Sequence, residues 1–399
     1  MTGGAALSGA PSRTGSALRF LLIATIAFLT LVDLFATQVI IPSLTLRYGV
    51  SPATMGSAVS ACTFGMAAAS LLVALFSERI DRRAGIVLSL AILSVPTVLL
   101  AWAPTVGIFA ALRILQGLCM ATAFSLTLAY LGERMTGAGA TQAFGAYVTG
   151  NVASNLIGRF VASGVAGGWG IDASFYVFAA LNLAGAALVA VTIHRSPKMK
   201  QGVNHVRSPV TAVKTHLADP RLRAAFVFGF CILFVFIGVF TYVNFELGSA
   251  RFGLSMMALG SVYFVFLPSI LTTAQAGTLA ARIGVRRATW AGLALAVLGV
   301  ALLAQDRLSV FLLGMTLVAI GTFLAQALAT GFVSRAATGD RAAASGLYLA
   351  SYFSGGLVGA VILGQIYTQY GWNALLLCVV LVLVGAAVLT RHFDLPKAA

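Results

Sequence analysis

Long apolar runs alternate along the chain with short polar segments. An α-helix needs roughly 20 apolar residues to cross a bilayer, and twelve runs approach that length. We place them at about 19–46, 54–76, 85–103, 105–131, 142–166, 173–193, 224–247, 255–280, 288–304, 309–333, 343–368 and 373–390. Because most connections are short, consecutive helices should be antiparallel neighbours. The pattern predicts an all-α integral membrane protein.

One connection is much longer than the others. Residues 194–223 are polar and basic and contain Pro197, Pro209 and Pro220. Six apolar runs precede this segment and six follow it. We therefore predict an N-terminal six-helix bundle over residues 1–193, a linker over 194–223 and a C-terminal six-helix bundle over 224–399.

The two halves repeat each other at an offset of about 200 residues. Span 5 contains Gly145-Ala-Tyr147 and reaches Gly158 thirteen residues after its first glycine. Span 11 contains Gly346-Leu-Tyr348 and reaches Gly359 at the same separation. Internal symmetry of this kind predicts two bundles that face each other across a central cavity, although glycine-rich helices also match by chance.

Composition supports the membrane assignment. Hydrophobic residues make up 60% of the chain and charged residues 9%, and the mean hydropathy is +0.98. A net charge of +15 would suit a nucleic-acid partner only if the basic residues shared one face or arm, and here they lie between the apolar runs. We expect a monomer surrounded by lipid, with no nucleic acid bound.

The basic residues also predict the orientation, because Lys and Arg concentrate in cytoplasmic loops. With a cytoplasmic N-terminus, only Arg47, Arg251 and Arg307 fall in loops on the opposite side. Both termini are therefore predicted to be cytoplasmic.

Asp33 is the single acid inside the first apolar run. A carboxylate in mid-span costs roughly 2.5–3.5 kcal/mol on insertion scales, so such residues are commonly functional. Thr30 and Thr37 share its helix face, which suggests that Asp33 looks into a polar cavity. The alternative is an acid that caps a helix break or faces a neighbouring hydroxyl.

Arg113 in span 4 is the predicted partner of Asp33. Helix rise places Asp33 about 20 Å from the start of span 1 and Arg113 about 12 Å below the opposite face, so their depths agree to within a turn. A guanidinium and burial shift a carboxyl's proton affinity in opposite directions, so moving this pair can couple proton binding to conformation. The alternative is a static buried pair that orients the helices.

Span 5 carries a polar stripe with four-residue spacing, which lies along one side of a helix. Its members are Tyr147, Asn151, Asn155 and Arg159. We expect this stripe and Gln116 to face the cavity, with snorkelling to the interface as the alternative for Arg159. The matching candidates in the second half, each of which is also explained by packing, are Tyr242, Asn244, Phe323, Gln326, Tyr348 and Tyr352.

Two loops and one helix carry motifs of a known family. Residues 277–287 read GTLAARIGVRR, similar to the pattern G-x-L-x-D-R-x-G-R-R/K, and Asp81-Arg82 keeps the centre of a first copy in which Ser77 and Ala84 replace the glycines. Span 4 reads Arg113-Ile-Leu-Gln116-Gly117, similar to R-x-x-Q-G. The chain thus resembles the major facilitator superfamily. That resemblance implies gating roles for Asp81, Arg82, Gly277, Arg282, Gly284 and Arg286.

Within that superfamily the chain is most similar to the YnfM-like branch grouped with drug:proton antiporters. The likeness rests on Thr37-Gln38, Thr241-Tyr242-Val-Asn244-Phe245 and Ser351-Tyr352, together with the span 5 motif. It implies a proton-coupled, efflux-type antiporter for small amphipathic or drug-like organic molecules in a bacterial inner membrane. A proton-coupled importer of a metabolite or vitamin and a non-transporting receptor or lipid-handling protein are the alternatives.

Other classes lack support in the sequence. It has no Walker glycine loop followed by Lys-Ser/Thr and no His or carboxylate cluster with metal-ligand spacing, so we predict no enzyme, no metal and no cofactor. Because the second half offers no cation inside its spans, we expect a neutral, weakly charged or zwitterionic substrate with an apolar body. An unpaired Arg159 would instead favour a carboxylate or phosphate.

Overall fold

The structure, a computed structural model, describes residues 13–76, 80–134, 137–193, 209–337 and 341–393. All regular secondary structure in these ranges is helical. The first half of the chain forms α1 (Arg13–Val39), α2 (Ile41–Tyr48), α3 (Pro52–Phe76), α4 (Arg82–Leu99), α5 (Val106–Arg134), α6 (Gly137–Trp169) and α7 (Ile171–Thr192). The second half forms α8 (Pro209–Ala218), α9 (Pro220–Gly248), α10 (Met256–Val262), α11 (Leu267–Ala274), α12 (Ala276–Ile283), α13 (Val285–Leu302), α14 (Leu308–Ala336) and α15 (Arg341–Leu389).

These helices account for all twelve predicted spans. Within the described residues, ten helical stretches are long and apolar enough to cross a membrane. The last stretch, Ala343–His392, holds two spans, because Gly371 interrupts α15 with a φ of +80° and a ψ of −174°. The twelfth span is α6, which is 33 residues long and carries the polar stripe.

Two spans are broken where the sequence pattern alone predicts continuous helices. The first run ends as a helix at Val39, and α2 begins after it with Pro42 in its first turn. The eighth run divides into α10, a 3₁₀ turn at Tyr263–Phe266 and α11, with Pro268 in the first turn of α11. Proline has no N–H to donate to the preceding turn, so both breaks have a local cause.

The predicted linker is partly helical. Its residues 209–218 form α8, and α9 already begins at Pro220. Asp219 caps α9, since its Oδ1 accepts the backbone N–H of Arg221 at 2.8 Å. Partial burial alone would raise the pKa of Asp219, but the hydrogen bonds from Arg221 outweigh that effect and hold the pKa below its ordinary value.

Equivalent glycines bring equivalent helices together in the two halves. A Cβ on Gly158 of α6 would lie 2.9 Å from Val32 Cγ2 of α1, and one on Gly359 of α15 would lie 2.7 Å from Phe234 Cα of α9. Glycine therefore allows close approach of spans 5 and 1 and of spans 11 and 7. The repeat seen in the sequence corresponds to a repeated packing contact.

The bundle has two ends, which we name by the chain connections. The linker end is where residues 194–208 connect α7 to α8, and the far end is opposite. At the far end Arg47 pairs with Asp172, and Arg251 bridges Glu246 at 3.2 Å and Asp306 at 2.9 Å. Helix α3 packs against α15, and α6 packs against α10 and α11, so these helices form the interface between the two halves.

Candidate functional site

Asp33 lies inside the first half of the chain, where only 2% of it is exposed. Its Oδ1 is 3.3 Å from Thr97 Oγ1 of α4 and 3.4 Å from Gln116 Nε2 of α5. Both contacts are long, and the Thr97 hydroxyl is closer to the Leu93 carbonyl, at 2.7 Å. In the described part of the chain, Oδ2 has no hydrogen-bond partner of good geometry. The carboxyl group is therefore buried with weak, uncharged hydrogen-bond donors.

A small cavity adjoins this carboxyl group. Its volume is about 10 Å³, close to the minimum that one water molecule requires. The cavity is lined by Asp33, Ala36, Thr37, Ile40, Ala162, Ser174, Phe175 and Phe178. The linkage of Asp33 to α4, α5 and this cavity shows that it faces the interior of the first half.

Arg113 is fully buried and bonds to groups on three helices. Its acceptors are Val59 O at 2.8 Å, Asp33 O at 3.1 Å, Thr37 Oγ1 at 3.2 Å, Gln116 Oε1 at 2.7 Å and Cys62 Sγ at 2.9 Å. The guanidinium thus reaches the backbone carbonyl of Asp33 rather than its carboxylate. Sequence reasoning correctly brought the two residues together, but they do not form a direct ion pair in this structure.

Gln116 connects the acid and the guanidinium. Its Oε1 accepts from Arg113, while its Nε2 donates to Thr97 Oγ1 at 2.7 Å and lies near Asp33. Asn182 of α7 lies beside the carboxyl group and donates to Thr97 Oγ1 at 3.3 Å. Thr97 and Asn182 were not among the predicted site residues. Both are polar residues inside apolar runs, and the same pattern had singled out Asp33.

Arg159 lies at the interface between the two halves and is completely buried. Its Nη2 donates to Gln38 Oε1 of α1. The guanidinium carbon is 3.9 Å from the centre of the Tyr263 ring and between 5.4 and 5.9 Å from the rings of Phe35, Phe240 and Phe266. We call these four rings the aromatic cage. Burial within the cage makes the snorkelling alternative wrong for this conformation.

Among the residues that the structure describes, the charge of Arg159 has no acidic partner. Within the described ranges, no carboxylate forms an ion pair with it, and its Nε and Nη1 have no hydrogen-bond partner. One helical turn away, both amide atoms of buried Asn155 also lack described partners, as does Asn151 Oδ1. The polar stripe of α6 therefore contains several unused hydrogen-bonding groups.

Asn244 fixes the second half against this region. Its Nδ2 donates to Gln38 O at 3.1 Å, and its Oδ1 accepts from the Tyr263 hydroxyl at 2.7 Å. The sequence predicted Asn244 and Arg159 as site residues. Of the connecting residues, Gln38 entered only as part of the family motif Thr37-Gln38, and Tyr263 was not named. Gln38 was detectable as an amide in an apolar run, whereas nothing in the local pattern distinguishes Tyr263 from a packing tyrosine.

Several other predicted residues have packing partners. The Tyr147 hydroxyl donates to Phe124 O at 3.1 Å, and the Tyr242 hydroxyl donates to Ala360 O at 2.6 Å. The hydroxyl of Thr30 donates to Ala27 O at 2.8 Å in its own helix. Nearer the linker end, Tyr348 stacks on Tyr352 with their ring centres 6.1 Å apart.

The remaining two candidates come from α14. The ring of Phe323 is 5.2 Å from Phe236 and 5.9 Å from Phe266, so it extends the aromatic cluster around the cage. Gln326 is partly buried, and its backbone carbonyl accepts from the Thr330 hydroxyl at 2.9 Å.

The predicted gating residues are at the linker end. Asp81 Oδ1 accepts the Ala84 N–H at 2.7 Å and so caps α4, and Arg82 begins that helix. In the other loop, Gly284 has a φ of +85° and ends α12, which explains this glycine of the motif. Arg282 and Gly277 are exposed, and Arg286 lies 4.9 Å from the Trp290 ring centre. Their gating roles stay predictions.

The sequence profile of the Major Facilitator Superfamily matches residues 23–271 and 251–398, which together span nearly the whole chain. The chain belongs to the Major Facilitator Superfamily. Members of this family are membrane transporters and not enzymes, so the predicted family, fold class and non-enzymatic nature are confirmed. The chain is a multi-pass membrane protein.

Individual members of the superfamily are similar over most of their length. The MFS-type transporter YybF of Bacillus subtilis is 24% identical over 86% of this chain and 85% of its own. The inner membrane transport protein YnfM of Escherichia coli is 23% identical over 88% of this chain and 86% of its own. A gentisate transporter of Corynebacterium glutamicum is 36% identical, but over only 22% of this chain and 19% of its own.

Solved superfamily structures share the fold. A bacterial homolog of the human lysosomal transporter Spinster, in an inward-facing and unoccupied conformation, superposes with a TM-score of 0.76. The match has 15% identity and covers 97% of this chain and all of that one. The match shows that the chain has the fold of these solved superfamily structures.

Proposed function

We propose that the protein is a proton-coupled secondary transporter of small organic molecules that works by alternating access in a bacterial inner membrane, with both termini in the cytoplasm. One observation carries the proposal. Asp33 is a buried carboxyl group, and one of its oxygens has no hydrogen-bond partner among the described residues. A single amide, Gln116, separates it from the buried guanidinium of Arg113.

This arrangement makes proton binding depend on helix positions. A carboxyl group binds its proton more or less tightly according to its burial and its distance from a cation. Arg113 belongs to α5 and is bonded to Val59 O of α3, whereas Asp33 belongs to α1. A shift of α1 against α3 and α5 would therefore change the distance between the carboxylate and the guanidinium, and with it the proton occupancy of Asp33.

One partial relative and the composition of the interface between the halves support an organic solute rather than an inorganic ion as cargo. One partial relative is named for gentisate, and the chain's interface between halves is lined by aromatic rings and amides, which suit an organic body with polar atoms. The resemblance to drug:proton antiporters favours efflux. Import of a metabolite uses the same machinery, because the gradients determine the direction of net flux.

The test uses purified protein in liposomes and a labelled organic solute that the wild type accumulates under a pH gradient. Asp33→Asn should abolish gradient-driven accumulation and retain solute exchange without a gradient, because the amide resembles the protonated acid. Asp172→Asn is the matched control, since this acid is paired with Arg47 at the far end. Undiminished proton-driven accumulation by Asp33→Asn would refute the proposal. Vesicles of known orientation then distinguish efflux from import.

A further inference from the structure

The charge of Arg159, which no described carboxylate compensates, indicates what kind of solute the protein carries. A buried guanidinium is costly unless it is paired, and the described residues offer it one amide oxygen and four rings but no carboxylate. Cation–π contacts offset part of that cost. A guanidinium that is stabilised by aromatic rings, at the interface between two halves that move, is available to bind an anionic ligand.

The guanidinium has a complete edge free for such a ligand. It carries five N–H groups, and only Nη2 has a described acceptor. A carboxylate can bind a guanidinium along either of two edges. One edge presents the Nε hydrogen and one Nη2 hydrogen, and the other presents one Nη1 hydrogen and one Nη2 hydrogen. Because Gln38 takes one Nη2 hydrogen, the other edge remains for two parallel hydrogen bonds to a carboxylate.

The surroundings of this edge select the rest of the ligand. The aromatic cage supplies flat apolar surface, and Asn155, one turn away on α6, supplies an unused amide donor and acceptor. Three cage rings, Phe240, Tyr263 and Phe266, belong to the second half of the chain, whereas Arg159 belongs to the first. Together with Phe35 and Gln38, these rings contact a side chain that has no exposed surface in this conformation, so a ligand reaches it only when the halves separate.

We propose that Arg159 binds the carboxylate of an aromatic monocarboxylic acid, which takes the place of the cage rings when the halves separate at the far end. This inference rests on the proposed transport function and names the substrate class for it. It replaces our sequence-based expectation of a neutral, weakly charged or zwitterionic substrate, because that expectation required Arg159 to be paired. One guanidinium matches one carboxylate, so a monoanion fits better than a dianion.

The test compares benzoate with benzamide, which has nearly the same shape but no charge. Calorimetric titration of the full chain in lipid nanodiscs should give benzoate an affinity at least about tenfold higher than benzamide, the ratio that corresponds to about 1.4 kcal/mol. Arg159→Gln should remove this preference, and Arg159→Lys should keep part of it, since lysine retains the charge without the planar fork. Arg47→Gln is the matched control, because Arg47 already has Asp172 as partner.

Two results overturn the inference: equal binding of benzoate and benzamide by the wild type, or a preference for benzoate that survives in Arg159→Gln. The wild-type comparison needs no variant, so misfolding of Arg159→Gln cannot obscure it. Asp33→Asn separates this inference from the proposed function. If its coupling defect appears while the wild type shows no preference for benzoate, only the carboxylate assignment fails. If the preference depends on Arg159 while Asp33→Asn still couples, only the coupling role of Asp33 fails.

Discussion

Arg113 holds its charge inside the protein through five acceptors, of which none is a carboxylate oxygen. Arg113→Ala removes all five hydrogen bonds and leaves Gln116 Oε1 without a described donor, whereas Asp33 O and Val59 O still accept from Thr37 Oγ1 and Cys62 Sγ. A buried acceptor left without a donor costs about 1–3 kcal/mol where no water replaces the donor. Arg113→Lys keeps the charge and up to three donors, so the loss of thermal stability and of proton-driven transport should be smaller. Melting curves of the purified variants measure the difference. Exposed Arg307→Ala should melt like the wild type, and a lysine variant no better than the alanine variant would contradict this account.

Sequence reasoning found the charged residues of the interior but not their bonding. Asp33, Arg113 and Arg159 stood out because charges are rare in apolar runs, and depth arithmetic correctly placed the first two at one level. It could not show that the guanidinium reaches the Asp33 backbone carbonyl, since that depends on side-chain rotamers and on the position of Val59. The cage around Arg159 was equally hidden, because its rings come from α1, α9 and the broken eighth span.

At the scale of helices, Gly117 explains the last letter of the R-x-x-Q-G motif. A Cβ at this position of α5 would lie 2.7 Å from the Cys62 carbonyl carbon of α3. Gly117→Ala should therefore push the two helices apart and lower stability by about 1–3 kcal/mol, the usual cost of overpacking. Differential scanning calorimetry measures the shift. Gly277→Ala is the control, because this helical glycine has open space around it and should tolerate the methyl group. Equal melting temperatures of the two variants would contradict the prediction.

Substitutions of Asp81 can separate its helix-capping role from its predicted gating role. Asparagine caps a helix about as well as aspartate, so Asp81→Asn should keep α4 intact and leave stability within about 0.5 kcal/mol. If the charge of Asp81 also holds the linker end closed against the start of α15, labelling of a cysteine placed in the cavity should become faster from the side of the linker end. Asp81→Ala, which loses the cap as well, provides the comparison. Unchanged labelling in Asp81→Asn would limit this residue to capping.

The helices were predictable from apolar length, but their interruptions were missed. Pro42 and Pro268 are visible in the sequence, yet each lies inside an otherwise unbroken apolar run. Hydrophobicity reports where a chain crosses the bilayer and not whether its backbone hydrogen bonds are continuous. The break after Val262 matters for the site, since it forms the 3₁₀ turn that carries Tyr263 and Phe266.

For the whole molecule, Gly260 determines how closely the halves approach at the far end. A Cβ on Gly260 of α10 would lie 2.8 Å from Ser163 Cβ and 3.2 Å from the Arg159 carbonyl oxygen of α6. Gly260→Ala should thus disfavour this closed arrangement by about 1–3 kcal/mol. Spin labels on exposed Leu46 and Met257 should show a larger population of long distances. Gly167→Ala, whose methyl group would meet Met256 at an ordinary 3.7 Å, should leave the distribution unchanged. The same distribution in both variants would exclude this role for Gly260.

The arrangement of the whole chain was the most predictable level. The glycine repeat indicated two similar halves, and Gly158 and Gly359 indeed make the same kind of helix contact. The way in which one half meets the other was not predictable, because the bridge from Asn244 to Gln38 joins residues 206 positions apart. No local pattern encodes such a pairing.

The guanidinium of Arg159, which has no acidic partner among the described residues, also predicts a response to membrane voltage. Arg159 lies ten residues, or about 15 Å, from the end of α6, which is about half of a 30 Å hydrocarbon core. A full charge that crosses the membrane experiences about 2.3 kcal/mol per 100 mV, so a charge at this depth experiences about half of that. A bound monoanion cancels the charge. If the position of this charge in the field differs between the two conformations, the empty and the loaded protein should respond differently to the same voltage. A resting potential should then bias the return of the empty carrier more than the movement of its cargo.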